Sequence, residues 1–413
     1  MIDSASRALA ELAPIGRDAD GGYRRLVWTP AELELRAWFT VRAEALGLRV
    51  ERDTAGNLWA WWGKELGGSA FVTGSHLDSV LGGGAFDGPL GVISALAAVA
   101  RLRAAGAVPR RPIAVVAFSD EEGGRFGVAC AGSRLLTGAL DAEHALALTD
   151  AEGMSQREAM IAVGVDPACI GPDAGLLARI GEFVELHIEQ GHALTEGEPG
   201  RPSVPGLAAA GEPLGIATEI VAHGRWRFEL EGRANHAGTT PMRARVDPMP
   251  VLAAAIIAAR DASLRHGTVA TIGRVEVLPG AVNAIASHVR FWLDARGEQA
   301  AVRRVVSFVE HAVGRTATPE SWTDTTRFDR ALGEAVRDTI SRATGHLPPF
   351  LPCGAGHDAG VLATAGVPSA MVFVRNPTGI SHAPGEEANA PDIELGVFAL
   401  AAVMRERACE GEA

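Results

Sequence analysis

The chain reads as an α/β protein on a mostly parallel sheet, carrying an inserted, smaller α+β domain, and three features of the sequence predict it. Short β-branched runs alternate with long Ala/Leu-rich ones from Ala70 to Gln190, the pattern of βαβ units. Past a Pro/Gly-rich stretch the apolar residues switch to period-two alternation. The first pattern then returns near the carboxyl end, so it brackets the second. The expected division is 1–212 and 327–413 for the two parts of the main domain and 213–326 for the insert.

A pair of helices opens the chain, and "AFVTGSH", Ala70–His76, predicts the first parallel strand. The stretch "GPLGVISALAAVARLRAAG" is apolar almost without a break before its arginines, as a helix packed closely on a sheet should be, and ends near Gly106. Strands "PIAVVAFSD" and "FVELHIEQ" follow. Pro and Gly crowd together over 196–213, the composition of a linker. Beyond it, "GIATEIVAH" and "RWRFELEG" are expected to pair as a hairpin. A helix over "DPMPVLAAAIIAARDASLR", strands "TVATIGRVEVL" and "SHVRFWLDAR", and a helix over "EQAAVRRVVSFVEHAV" complete a ββαββα order. Trp226, Phe228 and Leu230 alternate with Arg225, Arg227 and Glu229, the signature of a sheet with one wet face. A helix around 327–344, the loop "LPCGAGHDAG", the strand "SAMVFV" and a helix near 390–408 close the chain.

Composition narrows the chemistry. Of the 413 residues 47% are hydrophobic and 21% charged, a globular balance. The net charge of −12 comes with no basic stripe, so nucleic acid is excluded as a partner and a small molecule is favoured. Cys130, Cys169, Cys353 and Cys409 form no C-x-x-C pair, and the N-terminus lacks a secretory pattern. No run reaches the roughly 18 apolar residues of a membrane helix. A cytoplasmic protein without a membrane partner is expected.

In open parallel sheets, ligands bind beyond the carboxyl ends of the strands. His76, Asp78 and Asp87 follow the first strand, and Asp120, Glu121 and Glu122 the second. His187, Glu189 and Gln190 end the third, and His382 in "GISHAPGE" follows the last. Singly, each has an ordinary explanation: a hydrogen-bonded strand-end histidine, or carboxylates that are solvated or cap a helix. Together, three histidines and several carboxylates at one sheet edge are what a pair of divalent cations with a bridging carboxylate requires. Zinc, manganese, cobalt and nickel all suit such ligands. Gly82 and Gly84 supply a G-x-G, but Asp87 stands where a dinucleotide fingerprint wants its third glycine. The glycines instead let the backbone turn so that His76 and Asp87 reach one centre.

The set "GSHLDS…GGGAFDG", "DEEGGRFG", "HIEQG", "GRANHAGTTPM", "VNAIA", "GAGHDAG" and "SHAPGE" runs in order from His76 to Glu386. It resembles the allantoate amidohydrolase and N-carbamoyl-L-amino-acid hydrolase (carbamoylase, β-ureidopropionase) branch of the M20 metallopeptidase superfamily. The resemblance implies a dinuclear metal-binding catalytic domain in which His76 and His187 bind one metal, Glu122 and His382 the other, and Asp87 bridges both. It implies Glu121 as the general base, Asp78 as the residue that orients the His76 ring, and His236 as the oxyanion stabiliser. Asn283 and Arg296 would hold a substrate carboxylate, with Gln190 and His357 also matching positions near the substrate. The insert would be a lid and dimerisation domain, and the protein a homodimer. Arg375, close to His382 in sequence, is either a second anion contact or a surface arginine.

The implied reaction is hydrolysis of the ureido (carbamoyl) C–N bond of allantoate or an N-carbamoyl-L-amino acid, releasing ammonia and carbon dioxide. Two rivals stand beside it. One is an M20-type peptidase, aminoacylase or deformylase acting on another N-acyl or N-formyl amino acid. The other is a metal-bound binding protein without activity, which the joint presence of Glu121 and all five ligands disfavours.

Overall fold

The computed structural model describes residues 4–66, 69–191 and 206–410. The linker expected over 196–213 lies outside them up to residue 205. The described chain divides into two compact units, one holding residues up to Gly191, 206–219 and Arg327 onward, the other Ile220–Thr326.

In the first unit, β1 (Arg49–Arg52) and β2 (Leu58–Trp62) form an antiparallel pair, followed by β3 (Ala70–His76), β4 (Ile113–Phe118), β5 (Ile180–Ile188) and β6 (Leu214–Ile220). The insert contributes β7 (Ala222–Glu231), β8 (Asn235–His236), β9 (Val269–Leu278), β10 (Ala284–Ile285), β11 (His288–Gly297) and β12 (Thr318–Thr323). The chain returns through β13 (Thr326–Arg327), β14 (Phe350–Cys353) and β15 (Ser369–Val374). The large sheet has the order β1-β2-β4-β3-β5-β15-β6-β13, with β14 beside β6.

Its centre, β4-β3-β5-β15, is parallel throughout, whereas β2 and β6 pair antiparallel to it on either side. β3, β4 and β15 are buried along their whole length, which is why they read as unbroken apolar runs rather than alternating ones. The helix Pro89–Ala104 starts on a proline, whose missing N–H costs nothing at that position, and is buried continuously from Pro89 to Val99. With Ala5–Leu12, Pro30–Ala45, Arg330–Thr344 and Ala390–Ala408 it shares one hydrophobic core against the sheet. Because the four central strands are parallel, their carboxyl ends lie along one edge. His76, the Asp120–Glu122 run, His187 and the loop of His382 all follow from that edge.

The insert has a four-stranded antiparallel sheet in the order β12-β7-β11-β9, with the helices Met249–His266 and Gln299–Val313 beside it. Two expectations are corrected here. Leu214–Ile220 does not form a hairpin with Ala222–Glu231; it joins the large sheet against β15, and the boundary falls near Ile220 instead of 213. The burial of the two strands gives the reason: the start of β6 is covered on both faces, while β7 alternates strictly between buried and wet. The fourth strand of the insert comes instead from Thr318–Thr323, beyond its second helix, so the order is not the expected ββαββα. The loop expected over "LPCGAGHDAG" also contains the end of β14 and the start of a helix, Asp358–Thr364.

Among the described residues no helix is long and apolar enough to cross a membrane. Phe228 and Phe291 stack at the centre of the insert with ring centroids 4.9 Å apart, and Phe291 is fully buried. Phe291→Ala is expected to lower stability by about 3–5 kcal/mol, read as a shift in the denaturant midpoint of the intact protein.

Candidate metal centre

The site is built at the carboxyl edge of the parallel strands. His76 ends β3, and the chain then passes through the glycine-rich loop to Asp87. Gly88 has φ +85°, and a Cβ there would come within 2.4 Å of the His76 ring, so only glycine lets the loop close over that imidazole. After β4, Asp120 takes a left-handed conformation (φ 54°) and turns the chain into Glu121 and Glu122. A non-glycine residue in that region stores strain, which is characteristic of functional sites. Both adjacent N–H groups are held by one side chain: Glu121 N donates to Asp78 Oδ1 (3.2 Å) and Glu122 N to Asp78 Oδ2 (3.1 Å).

Asp87 lies at the centre of the arrangement. Its Oδ1 faces His76 Nε2 at 3.5 Å and His187 Nε2 at 3.2 Å. Its Oδ2 faces His382 Nε2 at 3.4 Å, and His382 Nε2 lies 3.3 Å from Glu122 Oε2. Two clusters of ligand-type atoms result, His76–Asp87–His187 and Asp87–Glu122–His382, with Asp87 in both. Glu121 Oε2 stands 3.8 Å from His76 Nε2. Gln190 Nε2 donates to Asp87 Oδ2 at 2.6 Å, and Ser381 Oγ donates to the same oxygen at 3.4 Å.

The donor set fits a divalent cation. Nδ1 of His76 donates to the Asp78 carbonyl (3.2 Å) and Nδ1 of His187 to the Ile188 carbonyl (2.9 Å). With the proton on Nδ1, each ring turns its Nε2 lone pair inward, the arrangement that outer hydrogen bonds impose on metal-ligating histidines. Both Nε2 atoms are buried without a hydrogen-bond partner. A third cluster, Glu185–His187–His357, suits a cation less well. Glu185 already accepts from Ser75 Oγ (2.7 Å) and Ala359 N (3.2 Å), and His357 Nε2 lies 3.3 Å from Cys353 Sγ.

The electrostatics match a pocket with too many carboxylates. Burial, reinforced by the charges of Asp358, Glu122 and Asp78, pushes the Glu121 carboxyl well above the usual range despite the opposing charge of His76. Burial and then Asp87 raise Glu122 to about 7. Burial also works against ionisation of Asp87, but the His187, His382 and His76 rings that face its oxygens outweigh it and hold Asp87 well below the ordinary value. The hydrogen bond to Asp87 carries His382 to about 9.

Not every residue singled out in the sequence falls in this cluster. The Asp78 carboxylate binds the Glu121–Glu122 backbone, and it is the Asp78 carbonyl that takes the closer contact with His76. His357 is buried, its ring 4.5 Å from that of His187. Arg375 is engaged by Asp392 through Nε (2.9 Å) and Nη2 (3.0 Å), which makes it a tie between β15 and the last helix instead of an anion contact. In the insert, the β8–β10 pair sets His236 opposite Ala284, Ala237 N donates to the Asn283 carbonyl at 2.9 Å, and His236 and Asn283 are both exposed. Gly238 N donates to His236 Nδ1 at 3.0 Å, which puts the proton of the neutral ring on Nε2. Arg296 is paired with Asp294 through Nε (2.8 Å) and Nη2 (3.3 Å).

Sequence reasoning missed Glu185, Cys130 and Glu386. Glu185 carried a signal, since it precedes His187 by two in an apolar strand and so shares its face. Cys130, whose Sγ donates to Glu121 Oε1 at 3.4 Å, carried none.

The chain matches the model of "Peptidase family M20/M25/M40" over residues 72–406. It is 38% identical to an N-carbamoyl-L-amino acid amidohydrolase of Geobacillus stearothermophilus over 95% of each chain. It is 32% identical to an allantoate amidohydrolase of Escherichia coli (strain K12) over 98% of each. Among solved structures, an amidase of the hydantoinase/carbamoylase family from Burkholderia vietnamiensis aligns with a TM-score of 0.86 and 30% identity, covering 98% of this chain and 97% of that one. With the family model matched from β3 to the last helix and full-length relatives at this identity, the chain belongs to peptidase family M20/M25/M40.

Proposed function

We propose that the protein is a metal-dependent amidohydrolase that cleaves the ureido C–N bond of a small carboxylic acid, an N-carbamoyl-L-amino acid or allantoate. The observation that carries this reading is Asp87, whose two oxygens face separate groups of ligand-type atoms. His76 and His187 would hold one divalent cation, Glu122 and His382 a second, and Asp87 both. Zinc, manganese, cobalt or nickel would serve. When bound, such a pair polarises a carbonyl and lowers the pKa of water from about 15.7 toward about 7.

The chain's own residues supply the rest. Glu121, buried and raised in pKa, takes a proton from the attacking water as its oxygen adds to the ureido carbon. Glu121 then delivers that proton to the substrate nitrogen as the C–N bond breaks. The carbamate released decomposes to ammonia and carbon dioxide. His236, with its proton on Nε2, is a donor for the oxyanion, and Asn283 and Arg296 bind the substrate carboxylate; Asp294 holds the guanidinium in orientation. Gln190 and His357 complete the substrate surroundings.

Of the two substrates, an N-carbamoyl-L-amino acid has the stronger support, because the relative of that name reaches 38% identity against 32% for the allantoate enzyme. A homodimer is also part of this reading. β9 is an edge strand of the insert, and the neighbouring helix exposes Ile256, Ile257 and Leu264, apolar surface that a second copy would cover. Four free cysteines suit the cytoplasm.

Ammonia release from N-carbamoyl-L-amino acids and from allantoate, by protein reconstituted with manganese, tests the assignment. Turnover of the carbamoyl compounds, abolished by chelation and reduced about 10²- to 10⁴-fold in kcat by Glu121→Gln, is the expected result. Silence on both substrates would transfer the function to another N-substituted amino acid. Arg296→Ala should raise KM by roughly 10- to 100-fold with little change in kcat, and an unchanged KM would remove that residue from the substrate. Metal affinity should depend on pH, because a cation must displace the proton from His382. Below the His382 value of about 9 the apparent affinity rises with pH, by about tenfold per unit for each proton released, which competition with a chelator at several pH values would measure.

A further inference from the structure

Glu386 closes the motif "SHAPGE", four residues beyond His382, and the mechanism above leaves it unused. It is buried, and its Oε1 accepts two backbone hydrogen bonds from the opposite loop, Phe86 N at 2.8 Å and Asp87 N at 2.9 Å, across 299 positions from Asp87. Its Oε2 is buried without a hydrogen-bond partner. The glycine-rich loop is shaped around this side chain: a Cβ on Gly84 would fall 2.4 Å from Oε1 and 2.6 Å from the Glu386 Cβ.

The loop that carries Glu386 is itself braced. Asn376, fully enclosed, donates through Nδ2 to the Ile380 carbonyl (2.8 Å) and accepts at Oδ1 from Thr378 N (3.1 Å) and Gly379 N (3.0 Å). Glu386 N donates back to the Ala383 carbonyl at 3.1 Å. A braced loop bearing His382 is therefore pinned, through one carboxylate oxygen, to the two amides that set where Asp87 sits. Asp87 in turn faces both groups of ligand atoms.

We propose that Glu386 is a positioning residue that clamps the Asp87 loop to the His382 loop, so that both cation sites are completed together. The inference rests on the metal centre proposed above. The hydrogen bonds of its side chain run to two backbone amides, and its working part in this role is the acceptor oxygen rather than the charge. Glu386→Gln keeps an oxygen able to accept the same two N–H bonds and places its amide nitrogen where Oε2 has no partner. Glu386→Ala removes the acceptor. Gly84→Ala attacks the clamp from the other side, displacing Glu386 without altering it or any ligand.

The test is cation uptake by the full chain, with zinc or manganese titrated against a chelator and bound metal per subunit counted by mass spectrometry. Folding of each variant is checked by thermal melting in the presence of chelator. Glu386→Ala and Gly84→Ala should each weaken uptake by about 10- to 100-fold, as loss of support behind metal ligands does. Glu386→Gln should stay near wild type. Wild-type affinity in Glu386→Ala would overturn the clamp, as would a Glu386→Gln protein as impaired as the alanine variant, since that would make the charge the active element. A wild-type chain that takes up no cation would overturn the metal centre itself, and this proposal with it.

Discussion

One carboxylate, Asp87, organises the polar end of the central sheet. Each of its oxygens is approached by an imidazole Nε2, two on one side and one on the other, and the third imidazole brings Glu122 with it. A buried carboxylate is costly unless it is paired and hydrogen-bonded. Here the three facing histidine rings, with hydrogen bonds from Gln190 and Ser381, offset that cost and hold the Asp87 carboxyl low, while the carboxyls around it are driven the other way. The divergence separates the two groups physically: Asp87 is held as an anion, whereas the Glu121 carboxyl favours its protonated form.

The supports behind this group come from backbone as much as from side chains. The Asp78 carboxylate holds the amides of Glu121 and Glu122, its carbonyl holds the His76 ring, and the Ile188 carbonyl holds the His187 ring. Each fixes a direction rather than supplying a reactive group. The parallel sheet makes such support possible, because strands distant in sequence deliver their carboxyl ends to one line and the loops there need span only a few residues. The insert follows a different logic. Its strand β7 alternates, its sheet is antiparallel, and its apolar interior is centred on stacked phenylalanines, so it folds around its own core.

Chemistry-bearing residues at the ends of apolar strands were legible in the sequence because a fully buried strand announces its own end: the polar residue that follows must be there for a reason other than packing. His76, Asp78, Asp87, Asp120, Glu121, Glu122, His187, Glu189, Gln190 and His382 stand out in this way, and the family resemblance is what narrows them to candidate ligands and a candidate base. Arg375 was not legible, since nothing local distinguishes an arginine that meets a ligand from one held by an aspartate on the next helix. The placement of Leu214–Ile220 is not written in its sequence for a similar reason. Its apolar run fits a hairpin partner or an added strand of the large sheet equally well, and only pairing with β15 decides between them.

What the sequence by itself determined is the local chemistry: which strands are buried on both faces, where they stop, and which ligand-type side chains stand at their ends. Periodicity and burial act over a few residues, so they are written in neighbouring letters. What only the tertiary structure decided is which of those side chains share an atom's length of space. That Asp87 turns one oxygen to His76 and His187 and the other to His382, and that Glu386 reaches its amide, depends on hydrogen bonds and contacts between residues far apart in the chain. Such contacts are set by the order and direction of strands in the sheet, and no short stretch of sequence contains them.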